Sequence, residues 1–250
     1  MPLRSGGVAV VIPTFNEAES IGAVLRELPR EHLDRIIVVD GGSDDDTAAR
    51  ACAAGAEVIT VARGYGLACR TGAELAEGSD ILVFMDGDGA DDPAMIPDLI
   101  APIRRGDYDF VITSRATGKR QPGSIAFHQL LAGFAAGLLT KLLYGVRYTD
   151  MSAFRAIRRD TLLGLGMREL TYGWNLEMQL RAARAGLRVL EIPAAYRRRI
   201  GGYSKVAGSW RGSLKAGLKI IATFARVAAE PGRKRDRFRS FPRRRGASSS

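Results

Sequence analysis

The stretch Asp80-Ile-Leu-Val-Phe-Met-Asp-Gly-Asp-Gly-Ala-Asp-Asp-Pro93 joins an apolar run to a cluster of acidic residues and glycines. The run from Ile81 to Met85 is short, unbroken and rich in apolar side chains, which predicts a strand covered on both faces. Gly87 lets the backbone bend, so that Asp86 and Asp88 can turn toward one point beyond the strand. Such oxygen ligands suit a Mg2+ or Mn2+ ion that carries a nucleotide diphosphate. Because an isolated Asp-x-Asp is a weak motif, an ordinary solvated turn is the alternative.

Strand and helix patterns alternate on both sides of this stretch. Further strands are predicted at Val8–Ile12, Arg35–Asp40, Glu57–Val61, Asp109–Thr113, Phe154–Ile157 and Arg188–Ile192. Helices are predicted after an N-cap at Asn16, over Ala48–Ala54, from Gly64, from Pro93 and near Asn175–Ala185. This spacing suits right-handed βαβ crossovers, so we expect an α/β fold with a mostly parallel, Rossmann-like sheet and helices on both faces. Ligands of such sheets bind beyond the carboxyl ends of the strands, where Asp40 and Asp86 both lie.

The composition limits the class of protein. The 250 residues are 46% hydrophobic and 26% charged, which is typical of a globular chain. We expect a catalytic domain over residues 1–212 and a basic disordered tail over residues 230–250. A net charge of +10 indicates an anionic partner. Two cysteines, Cys52 and Cys69, provide neither a disulfide framework nor a zinc site, and the N-terminus lacks a signal core. These features favour the cytoplasm.

Two segments suggest a membrane surface. Ile125–Val146 is largely apolar but contains His128, Gln129 and Lys141, which favours a surface helix over a span of about 20 apolar residues. Residues 213–229 form either an amphipathic interfacial helix or a helix packed on the core. We therefore expect a peripheral protein at the inner face of the membrane, in contact with anionic lipid. The basic runs are terminal and lack interleaved aromatic residues, which argues against nucleic acid as a partner.

Six motifs occur in order along the chain and together carry a resemblance. They are Val-Ile-Pro-Thr-Phe-Asn-Glu17, Val-Val-Asp-Gly-Gly-Ser43, Met-Asp-Gly-Asp88, Thr-Ser-Arg115, Asp-Met-Ser-Ala-Phe-Arg155 and Arg-Ile-Gly-Gly-Tyr-Ser-Lys205. From about Val8 to Lys205 the chain resembles the family 2 glycosyltransferases with the GT-A fold, especially the dolichol- and polyprenyl-phosphate sugar transferases. The resemblance implies a metal-dependent, inverting enzyme that moves a sugar from a UDP- or GDP-sugar to a polyprenyl phosphate.

The resemblance also implies roles for single residues. Pro13, Phe15, Glu17 and Asp40 would frame the base and ribose of the nucleotide-sugar, and Asp86 and Asp88 would hold the metal against its diphosphate. Two positions depart from the family pattern. Gly41 stands where the family usually has a second Asp, which leaves the base contact to Asp40 alone and the identity of the nucleotide open. Asp91 stands near the place of a metal-binding Gln, and it is either a third metal ligand or a cap of the next helix.

Basic residues follow in segments that this family folds over the phosphates: Arg115, Arg199, Ser204 and Lys205. A leaving nucleoside diphosphate gains negative charge, which a preorganised cation stabilises most in the transition state. The alternative is a solvated basic face, which we expect for Arg197 and Arg198. For Arg199 we favour function, because the glycines that follow it allow the loop to close on phosphate.

Glu177 distinguishes two kinds of acceptor. It occupies roughly the position where relatives with hydroxyl acceptors carry a general base, so the alternative enzyme transfers sugar to a soluble hydroxyl compound with Glu177 as that base. A phosphate acceptor is already ionised and needs no base, which leaves Glu177 a structural role. A remoter alternative is a module that binds an anionic membrane or nucleic acid through net charge and needs neither Asp86 nor Asp88.

Overall fold

The computed structural model describes residues 6–119, 121, 127–201 and 221–230. The strands within these ranges are β1 Gly7–Thr14, β2 Arg35–Asp40, β3 Glu57–Thr60, β4 Ser79–Phe84, β5 Phe110–Ser114, β6 Arg155–Arg158 and β7 Val189–Pro193. The α-helices are α1 Ile21–Glu27, α2 Thr47–Ala53, α3 Tyr65–Leu75, α4 Ile96–Arg104, α5 Phe127–Tyr144, α6 Arg159–Leu165 and α7 Trp174–Arg184. Residues 221–229 are also helical.

The strands form one sheet in the order β3-β2-β1-β4-β6-β5-β7. Every neighbouring pair is parallel except the two that involve β6, which runs antiparallel to both β4 and β5. The predicted mostly parallel sheet is confirmed. The carboxyl ends of β1, β2 and β4 lie side by side, so the residues that follow these strands meet at one edge of the sheet.

Hydrophobic side chains cover both faces of the sheet. Ala9 and Val11 of β1 join one core, which includes residues of α3, α6 and α7. Val8, Val10 and Ile12 of the same strand join the other core, with residues of α1 and α4. Since successive side chains of a strand point to opposite faces, a strand buried on both sides needs an unbroken apolar run. This is why the buried strands β1, β2, β4 and β5 are recognisable from their composition.

The predicted N-cap at Asn16 is wrong. Helix α1 begins at Ile21 with Ser20 at the N-cap position. Asn16 instead has a φ of 51° and lies in the loop after β1. Its backbone N–H donates to Ser43 Oγ at 2.8 Å, and its side-chain amide donates to Asp44 Oδ1 at 2.6 Å. Asn16 therefore joins the loop after β1 to the loop after β2, directly beside the predicted crevice.

The two segments for which the sequence suggests a membrane surface are helical over Phe127–Tyr144 and over residues 221–229. Helix α5 has 18 residues, and among the described residues no helix is long and apolar enough to cross a membrane. In residues 221–229, Phe224 and Val227 are buried and belong to a cluster with Ala136 of α5 and with Leu176 and Leu180 of α7. This part of the segment packs on the core, while residues 213–220 and 231–250 lie outside the described residues. The proposed domain division stays a prediction.

Candidate active site

Asp40 stands at the end of β2 and organises the first part of the crevice. Its buried carboxylate accepts hydrogen bonds from Thr14 Oγ1 at 3.2 Å, from Ser43 Oγ at 2.5 Å and from the Ser43 backbone N–H at 2.8 Å. The neighbouring Gly41 donates its N–H to the Thr14 carbonyl at 2.8 Å. Asp40 thus ties the ends of β1 and β2 together and retains little accepting capacity for a ligand, since a carboxylate offers about four lone-pair sites.

Gly41 explains one departure from the family pattern. A Cβ atom at this position would lie 3.3 Å from the Thr14 carbonyl oxygen and 3.8 Å from both Phe15 Cβ and Arg63 Cα. The guanidinium of Arg63 lies over the Phe15 ring at 4.1 Å from its centroid. The glycine therefore permits a close approach between the loop after β2 and this arginine–aromatic pair. The sequence interpretation missed Arg63, although it directly precedes the Gly64-Tyr-Gly segment that opens α3.

Pro13 and Glu17 frame the same edge. Pro13 is buried within β1. The Glu17 backbone N–H donates to Thr47 Oγ1 at 2.8 Å, and its carboxylate accepts from Ser20 Oγ at 3.2 Å. The contacts of Glu17 hold the loop after β1 in place. The predicted contacts of Pro13 and Glu17 with the nucleotide stay predictions.

Asp86, Asp88 and Asp91 follow β4 and form an acidic cluster. Asp88 is 1% exposed, Asp91 is buried and Asp86 is half-buried. Burial, followed by repulsion from Asp88, raises the pKa of Asp86 to about 6. Burial, followed by the charges of Asp86 and Asp88, raises the pKa of Asp91 well above its usual range. The cluster concentrates negative charge that a bound cation would offset.

The donor set of this cluster fits a divalent ion. Asp88 Oδ1 accepts from the Ala90 backbone N–H at 2.9 Å, whereas Asp88 Oδ2 is buried and receives no well-aligned hydrogen bond from the described residues. No group of three histidine, cysteine or carboxylate side chains in the described part of the chain is arranged to hold a metal. Two carboxylates supplemented by substrate oxygens and water are the usual way in which proteins bind Mg2+.

Asp91 does not cap the next helix. The residue before the 3₁₀ turn Pro93–Met95 is Asp92, whose side chain accepts from the Ala94 backbone N–H. Asp91 instead forms an isolated antiparallel bridge with Tyr196. The capping alternative is therefore wrong, and the part of Asp91 in metal binding stays a prediction.

A strap, defined here as residues 196–201, runs along the acidic cluster. Its backbone donates from Arg197 to the Ala90 carbonyl at 2.9 Å and from Ile200 to the Asp88 carbonyl at 3.0 Å. Arg199 Nη2 lies 2.9 Å from Asp88 Oδ2, and Arg199 Nη1 lies 3.9 Å from Glu17 Oε1. The strap therefore places a guanidinium against the carboxylate that is predicted to bind metal.

The expectation of a solvated basic face does not hold for Arg197. Its guanidinium pairs with Glu27 at 2.9 Å and with Asp92 at 3.0 Å, so it fastens the strap to α1 and to the acidic loop. The Arg198 backbone N–H donates to Gln121 Oε1 at 2.8 Å. Ser204 and Lys205 lie outside the described residues.

Arg115 is held by a carboxylate that the sequence interpretation missed. Its Nε, Nη2 and backbone N–H all donate to Asp150, at 2.7, 2.8 and 2.9 Å respectively. Although burial opposes the charge, these hydrogen bonds hold the pKa of Arg115 above its usual range. Its guanidinium also lies 5.1 Å from the ring centroid of Tyr196 in the strap. Asp150 is the first residue of the motif Asp-Met-Ser-Ala-Phe-Arg155, and this acidic residue was the sequence feature from which a partner for Arg115 could have been predicted.

Glu177 lies inside a network of hydrogen bonds on α7. Its side chain is 0% exposed. Oε2 accepts from the backbone N–H groups of Arg168 and Glu169 at 3.0 and 2.7 Å. Oε1 accepts from Arg181 Nε at 2.9 Å and Arg226 Nη1 at 3.0 Å. Since a general base must reach the proton that it removes, this arrangement favours the structural alternative for Glu177.

Comparisons with known proteins agree with this architecture. The profile of a family described as glycosyl transferase family 2 matches residues 9–164, more than half of the chain. An uncharacterized glycosyltransferase of Mycobacterium tuberculosis is 38% identical over 227 residues, which span 88% of this chain and 100% of that relative. An undecaprenyl-phosphate mannosyltransferase of Micrococcus luteus is 33% identical over 216 residues, 80% of this chain and 88% of the relative.

A solved structure gives the same fold. The crystal structure of M. tuberculosis glucosyl-3-phosphoglycerate synthase in complex with Mn2+, UDP and phosphoglyceric acid superposes with a TM-score of 0.71. Its sequence identity is 24%, and the match covers 90% of this chain and 80% of that one. The sheet, the acidic loop after β4 and the family match together lead to one conclusion: the chain belongs to glycosyltransferase family 2 and is a nucleotide-sugar-dependent glycosyltransferase with the GT-A fold.

Proposed function

We propose that this enzyme transfers a hexose from a UDP- or GDP-sugar to a polyprenyl phosphate at a membrane surface, with inversion at the anomeric carbon. The observation that carries the proposal is the state of Glu177. Its carboxylate is buried and accepts four hydrogen bonds, two of them from arginines. A phosphate acceptor, which arrives already ionised, requires no such base. The relative described as an undecaprenyl-phosphate mannosyltransferase supports the same acceptor class.

The donor half of the site is the crevice beyond β1, β2 and β4. Asp86 and Asp88 would hold Mg2+ or Mn2+, and the bound ion would offset the charge of the donor diphosphate. The glucosyl-3-phosphoglycerate synthase of M. tuberculosis was solved with Mn2+ and UDP, which supports a divalent ion in this proposal. Arg199 Nη2 lies 2.9 Å from Asp88 Oδ2, beside the proposed position of the metal and the diphosphate. In this proposal the guanidinium of Arg199 leaves the carboxylate and binds a phosphate when the donor is present.

The proposed transfer is a single displacement. An oxygen of the acceptor phosphate forms a bond to the anomeric carbon, while the bond from that carbon to the donor diphosphate breaks and the nucleoside diphosphate leaves. No proton has to move. The attacking oxygen belongs to a phosphate that is already anionic at neutral pH, and the oxygen that bridges the sugar and the diphosphate takes the electron pair of the broken bond and leaves as an anion. The protein must orient the two phosphates and screen their repulsion, for which Arg115 and Arg199 are suited.

The membrane part of the proposal uses α5. Leu138, Leu139, Leu142 and Leu143 are exposed on this helix, together with Phe134. Exposed apolar residues that lie close together on one helix mark a surface for a partner or a membrane. With a net charge of +10, an anionic lipid surface is the partner that also satisfies the electrostatics. We expect no role for nucleic acid.

A soluble hydroxyl acceptor is the second candidate. It is favoured by the structural likeness to glucosyl-3-phosphoglycerate synthase, which was solved with phosphoglyceric acid. This candidate requires a positioned base, and Glu177 would have to leave its hydrogen bonds to act as one.

The experiment compares acceptors with the same purified enzyme. Radiolabelled GDP-mannose and UDP-glucose are each incubated with undecaprenyl phosphate in detergent or with 3-phosphoglycerate, in the presence of Mn2+ or EDTA. We expect label to enter the organic phase with undecaprenyl phosphate and Mn2+ only. Transfer to 3-phosphoglycerate but not to undecaprenyl phosphate would contradict the proposed acceptor and support the second candidate. Full transfer in the presence of EDTA would contradict the proposed dependence on a metal.

A further inference from the structure

Tyr65 opens helix α3 beside the acidic cluster. Its hydroxyl donates to Asp86 Oδ1 at 3.1 Å. The start of the helix is fixed against the segment before α7, because the Leu67 backbone N–H donates to the Leu170 carbonyl at 2.9 Å. Gly66 permits this approach, since a Cβ atom there would lie 2.3 Å from the Glu169 carbonyl oxygen. Tyr65 is therefore presented to Asp86 from a rigid helix end.

Asn175, in the first turn of α7, sets the direction of the Tyr65 hydroxyl. The Asn175 side-chain amide donates toward the Tyr65 oxygen at 3.5 Å. Because this amide nitrogen is a donor, the tyrosine oxygen acts as the acceptor toward it, and the tyrosine proton points to Asp86. Arg155, which is fully buried, donates to the Asn175 carbonyl at 3.0 Å and holds the first turn of α7 in position.

We propose that Tyr65 is a positioning residue that orients Asp86 for a divalent cation, with Asn175 orienting the Tyr65 hydroxyl. This inference rests on the proposed function, because it needs a cation at Asp86 and Asp88. A partner that hydrogen-bonds to a metal-binding side chain fixes its orientation, and loss of such a partner costs about 10- to 100-fold in metal affinity or activity.

Metal binding is the direct test. Mn2+ is titrated into the purified full chain in the presence of UDP and, separately, of GDP, and free Mn2+ is measured by electron paramagnetic resonance. Tyr65→Phe removes only the hydroxyl, and we expect it to raise the Kd for Mn2+ about tenfold. Asn175→Leu leaves Tyr65 in place and should raise the Kd by a smaller factor. Tyr108→Phe deletes a hydroxyl outside the site and should leave the Kd unchanged.

Kinetics separate positioning from a general loss of structure. If Tyr65 acts through the metal, Tyr65→Phe should need more Mn2+ for half-maximal transfer, while kcat at saturating Mn2+ returns close to the wild-type value. The outcomes distinguish the two proposals. Unchanged Mn2+ affinity in both Tyr65→Phe and Asn175→Leu, with normal binding by the wild type, overturns the positioning role alone. Absence of Mn2+ binding by the wild type overturns the metal-dependent function and the positioning role with it.

Discussion

Arg199 lies 2.9 Å from Asp88 Oδ2 and partly neutralises a carboxylate that is 1% exposed. Burial of an unpaired carboxylate costs free energy, because the charge loses its hydration. The guanidinium of Arg199 reduces this cost at Asp88, and a bound divalent cation would reduce it in the same way. Arg115 has a different kind of environment, because Asp150 holds it through three hydrogen bonds. Arg199 therefore contacts the acidic cluster itself, whereas Arg115 is held in position by Asp150.

Removing the charge of Asp88 tests the acidic cluster. We expect Asp88→Asn to lower the rate of transfer by about a thousandfold or more, because a developing diphosphate charge would lose several kcal/mol of stabilisation. Initial rates are measured at saturating donor with Mn2+. Asp98→Asn, an exposed position on α4, is the matched control and should keep the wild-type rate. A rate for Asp88→Asn within a factor of about ten of wild type would contradict a metal at this site.

Asp150 gives a prediction about stability and pH. Burial opposes its charge, but hydrogen bonds from Arg115 dominate and hold its pKa below the usual range. A depressed pKa in the folded state stabilises the protein above the unfolded-state value of about 3.9, and that stability is lost as the pH falls through the folded value. Asp150→Asn should therefore lower the free energy of unfolding by about 3 kcal/mol at neutral pH.

The same variant should show a shallower loss of stability on acidification below about pH 4 than the wild type. Urea unfolding at a series of pH values measures both effects. Parallel pH profiles for the two proteins would show that the Arg115–Asp150 pair does not contribute as described.

The elements differ in how far the sequence predicts them. Strands β1, β2, β4, β5 and β7 coincide with the predicted strands within about two residues. For β1, β2, β4 and β5 the reason is burial on both faces, which imposes continuous hydrophobicity. The direction of β6 has no such local signal, since it depends on which strands become its neighbours. Contacts such as Arg115 with Asp150 and Arg197 with Glu27 join residues far apart in sequence. The acidic motif was therefore predictable as a motif, but its supporting residues were not.

The helical residues 221–229 are fastened through ionic contacts. Arg226 pairs with Glu177 at 3.0 Å and with Glu169 at 3.5 Å, and Arg181 pairs with Glu230 at 2.6 Å. Together with Phe224 and Val227, these contacts join the segment to α7. Glu177 pairs with both Arg181 and Arg226, so we expect its substitution to lower the stability of the folded protein.

We expect Glu177→Gln to affect stability more than chemistry. The substitution leaves Arg181 and Arg226 beside a neutral amide, and breaking a buried ion pair in this way typically costs about 3–5 kcal/mol. With a phosphate acceptor, kcat of the folded variant should fall only modestly. Thermal unfolding and transfer are measured on the same preparation, with the exposed Glu74→Gln as control. A loss of about 100-fold or more in kcat without a change in Tm would instead indicate a general base.

At the scale of the whole molecule, the crevice and α5 are parts of one chain with a net charge of +10. Pairs such as Arg35 with Glu57 and Arg188 with Asp109 neutralise some of the basic side chains of the described region. Under the proposed function, the phosphate of an acceptor with a long hydrocarbon chain is reached at a lipid surface. Net positive charge and an apolar helix surface would then both favour the same encounter.

The apolar surface of α5 gives the last prediction, which concerns binding to vesicles. Leu142 is 73% exposed, so Leu142→Asp removes little buried area and should leave Tm unchanged. If α5 lies at the lipid interface, this variant should co-sediment less with vesicles of anionic phospholipid than the wild type, because a charge replaces an inserted apolar side chain. Leu163→Asp is the matched control, since Leu163 is 45% exposed on α6. Added salt should release part of the wild type by screening the electrostatic attraction, and the remainder should stay bound through the apolar contact. Equal loss of vesicle binding in Leu142→Asp and Leu163→Asp would mean that charge alone, rather than the surface of α5, determines the attachment.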